Sequence, residues 1–96
     1  MAIDAYVIDT LMPDLVGHDR QPSAFIVYLF LAHRAGGRAR VRVSLQTIAM
    51  DTGLSKSAVQ KALRTLKRRK LVESVREHDT AVPEYAVLRP WVVRRA

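Results

Sequence analysis

Two short amphipathic helical patterns meet at Gly53, and this junction constrains the fold more than any other feature of the sequence. Before it, Leu45, Ile48 and Ala49 recur at the i, i+3, i+4 spacing of one helix face. Gly53 can take the positive φ that ends a helix, and Ser55 suits the N-cap of the next one. The second pattern then has its own apolar face, formed by Val59, Ala62, Leu63 and Leu66. The sequence therefore predicts two helices joined by a tight turn.

The second helix, predicted over about residues 55–69, carries cations on its open face. The side chains opposite the apolar set are hydroxyl, amide and basic groups: Ser57, Gln60, Lys61, Arg64, Lys67 and Arg68. Two helices joined by a short turn containing glycine form the unit whose second helix enters the DNA major groove. An αα-hairpin used only for packing is the alternative, but packing alone does not require cations confined to one face. The pattern favours a helix that contacts DNA.

Residues 44–71 resemble the helix-turn-helix of bacterial winged-helix regulators of the MarR or GntR type. The usual pattern is Leu-x-x-Ile-Ala-x-x-x-Gly-Leu-Ser-x-x-x-Val-x-x-Ala-Leu-x-x-Leu. This sequence matches it at Leu45, Ile48, Ala49, Gly53, Leu54, Ser55, Val59, Ala62, Leu63 and Leu66. The resemblance covers about residues 23–90, and it implies a winged-helix fold that binds double-stranded DNA.

Strand patterns flank the two helices in the order typical of a winged helix. Upstream, residues 38–43 alternate strictly between arginine and apolar residues, which places Val41 and Val43 toward a core. Downstream, two strand patterns separated by a polar tip predict a β-hairpin wing over about residues 71–88. The expected fold class is mainly α with a small antiparallel β-sheet: a three-helix core, the β-hairpin wing and an extra N-terminal helix.

We expect one small domain with an extension at each end. Residues 1–22 would form an N-terminal helical extension and loop, residues 23–90 the winged helix-turn-helix domain, and residues 91–96 a C-terminal tail. Within the extension, helical spacing predicts a short helix from about Asp4 to Leu11. Pro13 is expected to break or bend the chain after it, with a loop from Gly17 onward.

Basic charge is concentrated in the predicted winged-helix part. Residues 1–22 carry four aspartates and one arginine, a net charge of −3, whereas residues 23–96 carry fifteen Lys and Arg against five Asp and Glu, a net charge of +10. Cations placed on phosphates release condensed counterions, so such a surface binds polyanions. Solubility, acidic proteins or a membrane surface are alternative uses of basic charge, but the helical motif in the same region favours nucleic acid.

The DNA contacts are assigned from side-chain chemistry. The expected base contacts are Ser57, Gln60, Lys61 and Arg64. The expected phosphate contacts are Arg38, Arg40, Lys56, Lys67, Arg68 and Arg76.

Catalytic and metal-binding patterns are absent from the sequence. His18, His33 and His78 are far apart and have no metal-ligand spacing, and the chain has no cysteine. Ser55 and Ser57 have no partner in a histidine relay, and no glycine-rich phosphate motif is present. We expect no enzymatic activity, no catalytic or metal-binding residues and no cofactor. Since no apolar run reaches membrane-spanning length, we expect no membrane association and a cytoplasmic protein that joins the nucleoid when bound to DNA.

The sequence contains more apolar residues than a small three-helix core obviously needs. Ser23 is expected to cap a helix through about Arg34, and its stretch from Ala24 to Ala32 is apolar nearly all round. Residues 91–93 add a second apolar group. A homodimer through the N- and C-terminal segments would bury this surplus of apolar surface. Double-stranded DNA is the other expected partner. Alternatively, the same residues fold back and close the core of one chain.

Three functions remain open at this point. The first is sequence-specific DNA binding as a transcriptional regulator, with the helix at about 55–69 in the major groove and the wing on the backbone or minor groove. The second is a replication-initiator or partition-type DNA-binding protein of a plasmid or mobile element. The third is a winged helix for protein interaction, for which a neutral or acidic recognition face would be expected. The basic face makes the third the weakest.

Overall fold

The computed structural model describes residues 4–75 and 82–92. The N-terminal segment, defined as residues 4–21, contains two π-helical stretches, Val7–Leu11 and Pro13–His18. Three α-helices follow: α1 is Pro22–Ala35, α2 is Leu45–Thr52 and α3 is Lys56–Arg68. Three strands complete the fold: β1 is Arg40–Arg42, β2 is Val72–Val75 and β3 is Glu84–Val87. The expected class, mainly α with a small antiparallel sheet, is confirmed.

The sheet places β3 between the other two strands, in the order β1-β3-β2, with both pairings antiparallel. Val41 lies opposite Tyr85, and Val72 lies opposite Val87. Val41 is buried while its arginine neighbours in β1 are exposed, so the alternation predicted for this strand is confirmed. The polar tip expected at residues 76–80 lies outside the described residues.

The turn between α2 and α3 is held by local hydrogen bonds. Ser44 caps α2, because its Oγ accepts a hydrogen bond from the Thr47 amide at 3.1 Å. Gly53 ends the helix at a φ of 82° and donates its amide proton to the Ala49 carbonyl. Ser55 then caps α3 by accepting from the amide of Ala58 at 3.1 Å. The predicted roles of Gly53 and Ser55 are therefore confirmed.

Valine at Gly53 is expected to lower the free energy of unfolding by about 1–2 kcal/mol, since a side chain in the left-handed region crowds the following carbonyl. An added Cβ meets no heavy atom within 4 Å, so the cost is backbone strain and not a clash. Gly37→Val is the matched control, because Gly37 is equally open and its φ lies outside the left-handed range. Urea denaturation checks the expectation. Equal stability of the two variants would contradict it.

Helix α1 runs through the centre of the core. It packs against α2 and α3 on one side and against the N-terminal segment on another. Its buried side chains form one broad face of the helix: Ala24, Phe25, Val27, Tyr28, Leu31 and Ala35. Val7, Leu11 and Leu15 of the N-terminal segment are also buried in this core. The apolar side chains of α1 are therefore buried largely within one chain. This agrees with the alternative in which these residues fold back and close the core of one chain.

Two predictions about the N-terminal half were wrong. Pro13 does not break the helical path, which continues to His18, so the loop begins later than Gly17. Pro13 lies in the first turn of the second stretch, where its missing N–H needs no helical partner. Ser23 is not the cap of α1 either. Gln21 occupies that position and Pro22 begins the helix, as its fixed φ favours.

Trp91 closes the core edge against the N-terminal segment. Its ring stacks on Tyr6, with centroids 4.6 Å apart and planes inclined by 14°. Its Nε1 donates a hydrogen bond to Asp4 Oδ2 at 3.3 Å. The two ends of the described chain thus meet. Among the described residues, no helix is long and apolar enough to cross a membrane.

Candidate nucleic-acid interface

Helix α3 separates its apolar and polar side chains onto opposite sides. Val59, Ala62, Leu63 and Leu66 face the core and are buried. The opposite side is exposed and carries no acidic residue; we call it the basic arc of α3, formed by Lys56, Ser57, Gln60, Lys61, Arg64, Lys67 and Arg68. The side chains predicted to contact bases thus lie together on one surface with three of the predicted phosphate contacts. This arrangement follows from the 3.6-residue period of the helix.

One edge of the basic arc borders the hairpin. Gln60, Arg64 and Lys67 line an open groove between α3 and the sheet. Ser74 of β2 and Glu84 of β3 line the same groove from the opposite wall. Two cations and a neutral amide face this groove from the helix, which favours anionic groups there. Glu84 is the acidic member of this lining.

The other edge of the arc carries Lys61 and Arg68. At 100° per residue, these two side chains lie between Arg64 and Thr65 around the helix. Thr65 itself is buried, with a relative exposure of 2%. The side chains predicted to contact bases and phosphates are therefore spread over an arc that runs from the hairpin groove toward Thr65.

Arg38 and Arg40, two of the remaining predicted phosphate contacts, do not line the hairpin groove. Arg40 is exposed on β1, and its Nη1 lies 3.9 Å from Glu84 Oε1. Arg38 lines a different groove, between the end of α1 and β3, together with Arg89. Arg76 lies outside the described residues. The basic arc is therefore the only set of predicted contacts that the described chain gathers on one element.

The sequence analysis missed the role of Arg69, which directly follows α3. Its Nη2 donates a hydrogen bond to Asp14 Oδ2 at 2.9 Å, and its Nη1 lies 3.6 Å from Asp19 Oδ1. The signal in the sequence was general: four aspartates lie in residues 1–22 and a basic run lies at residues 67–70. The pairing joins positions 55 residues apart, so helical spacing could not identify it.

Asp19 stays ionised in this arrangement. The hydrogen bond from the His18 ring lowers the pKa of the Asp19 carboxyl, and the positive charge of Arg69 lowers it further, against the opposing effect of burial. Its Oδ1 is 2.9 Å from His18 Nδ1. Its Oδ2 is buried with no hydrogen-bond partner among the described residues. Arg69 therefore compensates a carboxylate that has little access to water.

No group of three or more Asp, Glu or His side chains within residues 4–75 and 82–92 could hold a metal ion. The chemistry that α3 offers is hydrogen bonding and positive charge toward a polyanion.

Comparison with known proteins adds one finding. A family model described as a helix-turn-helix domain matches residues 21–72, more than half of the chain. The matched residues include α1, β1, α2 and α3, and they end at the first residue of β2. No curated protein and no solved structure matches the chain.

Proposed function

The chain belongs to the helix-turn-helix family of DNA-binding domains, and on that premise we propose that it is a sequence-specific transcriptional regulator of the MarR or GntR type. Helix α3 would enter the major groove of double-stranded DNA. The basic arc carries this proposal, because it places donors and cations on the one side of α3 that the core leaves open. A winged helix for protein interaction is disfavoured, since no acidic residue lies on that arc.

The proposed contacts divide by side-chain geometry. Ser57, Gln60, Lys61 and Arg64 would contact base edges, because amide and guanidinium groups can make paired hydrogen bonds to a base. Phosphates would be held by side chains that supply charge without sequence information: Lys56, Lys67, Arg68, Arg38, Arg40 and Arg76. The hairpin would lie on the DNA backbone or in the minor groove. The groove beside Gln60, Arg64 and Lys67 supports this placement, because two cations and an amide of the helix face the hairpin across it.

We keep the sequence-based division as part of this proposal: the winged helix-turn-helix at residues 23–90, an extension at 1–22 and a tail at 91–96. The protein would act in the cytoplasm, on the nucleoid when bound to DNA. Binding would need no cofactor and no catalytic step.

A binding assay over a range of salt concentrations, followed by selection of bound sequences, tests the function. On random DNA, the logarithm of the binding constant should fall with the logarithm of the salt concentration by about 0.9 per phosphate contacted. A selected site should then bind more tightly than random DNA at the same salt. Salt-independent binding, or no difference between selected and random DNA, would contradict the proposal. Selected genomic sites arranged as direct repeats would instead favour the replication or partition role.

We also propose that the protein forms a homodimer through its terminal segments. Val7 and Leu11 of the N-terminal segment are buried inside the chain, and Trp91, which suggested a dimer from the sequence, stacks on Tyr6. The N-terminal segment nevertheless keeps an exposed apolar stripe at four-residue spacing: Ile8, Met12 and Val16. No Lys or Arg lies between residues 4 and 19, so two basic chains could approach here with little repulsion. A two-fold pair of α3 helices would read two half-sites about 34 Å apart.

Light scattering at micromolar concentration should give a mass close to twice that of one chain. Met12→Glu should shift the mass toward one chain, because a charge in an apolar interface loses hydration. Met50→Glu is the matched control, since Met50 is exposed on α2 and outside the stripe. A mass of one chain at high protein concentration without DNA would contradict the dimer.

A further inference from the structure

The C-terminal end of α3 is held by the N-terminal segment at two points. Thr65, which is buried, donates a hydrogen bond from Oγ1 to Gln21 Oε1 at 2.8 Å. One turn further on, Arg69 bridges Asp14 and Asp19. Both contacts are made by side chains on the far side of α3 from the hairpin. The direction of the helix is therefore set by the core on one side and by these polar contacts on another.

The groups that receive these contacts are themselves fixed. The Asp19 amide donates to the Asp14 carbonyl at 2.8 Å, and the Gln21 amide donates to the Leu15 carbonyl at 2.7 Å. Leu15 is fully buried in the core. Because the backbone at positions 14 to 21 is anchored in this way, the partners of Thr65 and Arg69 have defined positions relative to α1.

Arg69 differs from its neighbours in the basic run at residues 67–70. Its side chain is 30% exposed, whereas the side chains of Lys67, Arg68 and Lys70 lie open to solvent. It is shared by two carboxylates, one of which is almost wholly buried. Moving Arg69 to a DNA phosphate would leave Asp19 without its main compensating charge, which is costly in a buried position.

We propose that Asp14, Asp19 and Gln21 are positioning residues for α3 that act through Arg69 and Thr65. The N-terminal segment would thereby set the angle at which the basic arc meets the DNA bases. Asp14 and Asp19 precede the family-matched residues, so the carboxylates that hold Arg69 lie outside the part of the chain that the family model covers. The inference rests on the proposed function and deepens it.

The test compares Arg69→Gln, Asp14→Asn and the double variant. The readout is the ratio of the affinity for the selected site to the affinity for random DNA, because long-range charge effects act on both alike. Each single variant is expected to lower this ratio at least about threefold, within the range of coupling between residues in contact. The double variant should lower it no further than Arg69→Gln alone, since that variant already removes the contact with Asp14.

Lys70→Gln is the matched control. It removes the same charge from an exposed position one residue further along, so it should weaken binding to both DNAs alike and leave the ratio unchanged. Thermal melting shows whether each variant is folded. Asp14 is 44% exposed, so its amide variant should fold.

Three outcomes would overturn the inference. The first is an unchanged ratio in Arg69→Gln and Asp14→Asn, with both variants folded. The second is a salt dependence lowered by about one phosphate in Arg69→Gln together with tighter binding in Asp14→Asn, which would make Arg69 a phosphate contact. The third is a wild-type chain that prefers no DNA sequence, and this outcome alone would also remove the proposed function.

Discussion

Replacing Leu15 with alanine is expected to lower the free energy of unfolding by about 2–5 kcal/mol, the cost of deleting buried methyl groups and leaving a cavity. Leu15 is fully buried where the N-terminal segment packs against α1. Because small domains have only about 5–15 kcal/mol of total stability, this single change should remove a large part of it. Urea denaturation monitored by circular dichroism measures the effect.

Val16→Ala is the control for this variant. Val16 is the next residue along the chain but is 38% exposed, so its truncation in dilute protein should change stability by no more than about 0.5 kcal/mol. Equal, small effects at positions 15 and 16 would mean that the N-terminal segment is an appendage and not part of the core.

Arg64→Ala is expected to weaken binding to the selected DNA site by about 1–3 kcal/mol and to relax the base preference at one position. Arg64 lies in the middle of the basic arc, and its guanidinium has the geometry to bond guanine O6 and N7 together. Selection of bound sites by the variant, compared with wild type, identifies the position that it reads.

Lys67→Ala provides the contrast to Arg64→Ala. As a phosphate contact, Lys67 should strengthen binding to all sequences alike, so its removal should lower the salt slope by about one contact without changing base preference. If both variants bind the selected site as tightly as wild type does, the basic arc is not the surface that contacts DNA.

The turn at Gly53 shows what short-range signals can predict. The left-handed φ of Gly53 and the cap at Ser55 each depend on bonds to residues within four positions. The apolar face of α3 follows from a period that is visible in the sequence. For this reason the helix-turn-helix, the alternation in β1 and the fold class were predicted correctly.

The N-terminal segment shows where such reasoning stops. Pro13 predicts the end of a helix only where its missing N–H would be needed inside the helix, and here it lies in the first turn of the second stretch. In the sequence, Thr65 is one more polar residue of α3, and Arg69 is one more cation in a basic run. Their burial and pairing depend on side chains 44 and 55 residues away, which no local pattern reports.

The position of β3 in the middle of the sheet also determines when the sheet can form during synthesis of the chain. β1 pairs only with β3 among the described strands, and more than forty residues separate the two. A nascent chain that has emerged only as far as α3 therefore has its helices but no partner for β1. A fragment that ends with the family-matched residues, at position 72, would leave the backbone donors and acceptors of β1 unpaired in the same way. β1 therefore cannot be paired before β3 has been synthesised, and a shortened version of this domain has to retain β3 to pair the first strand.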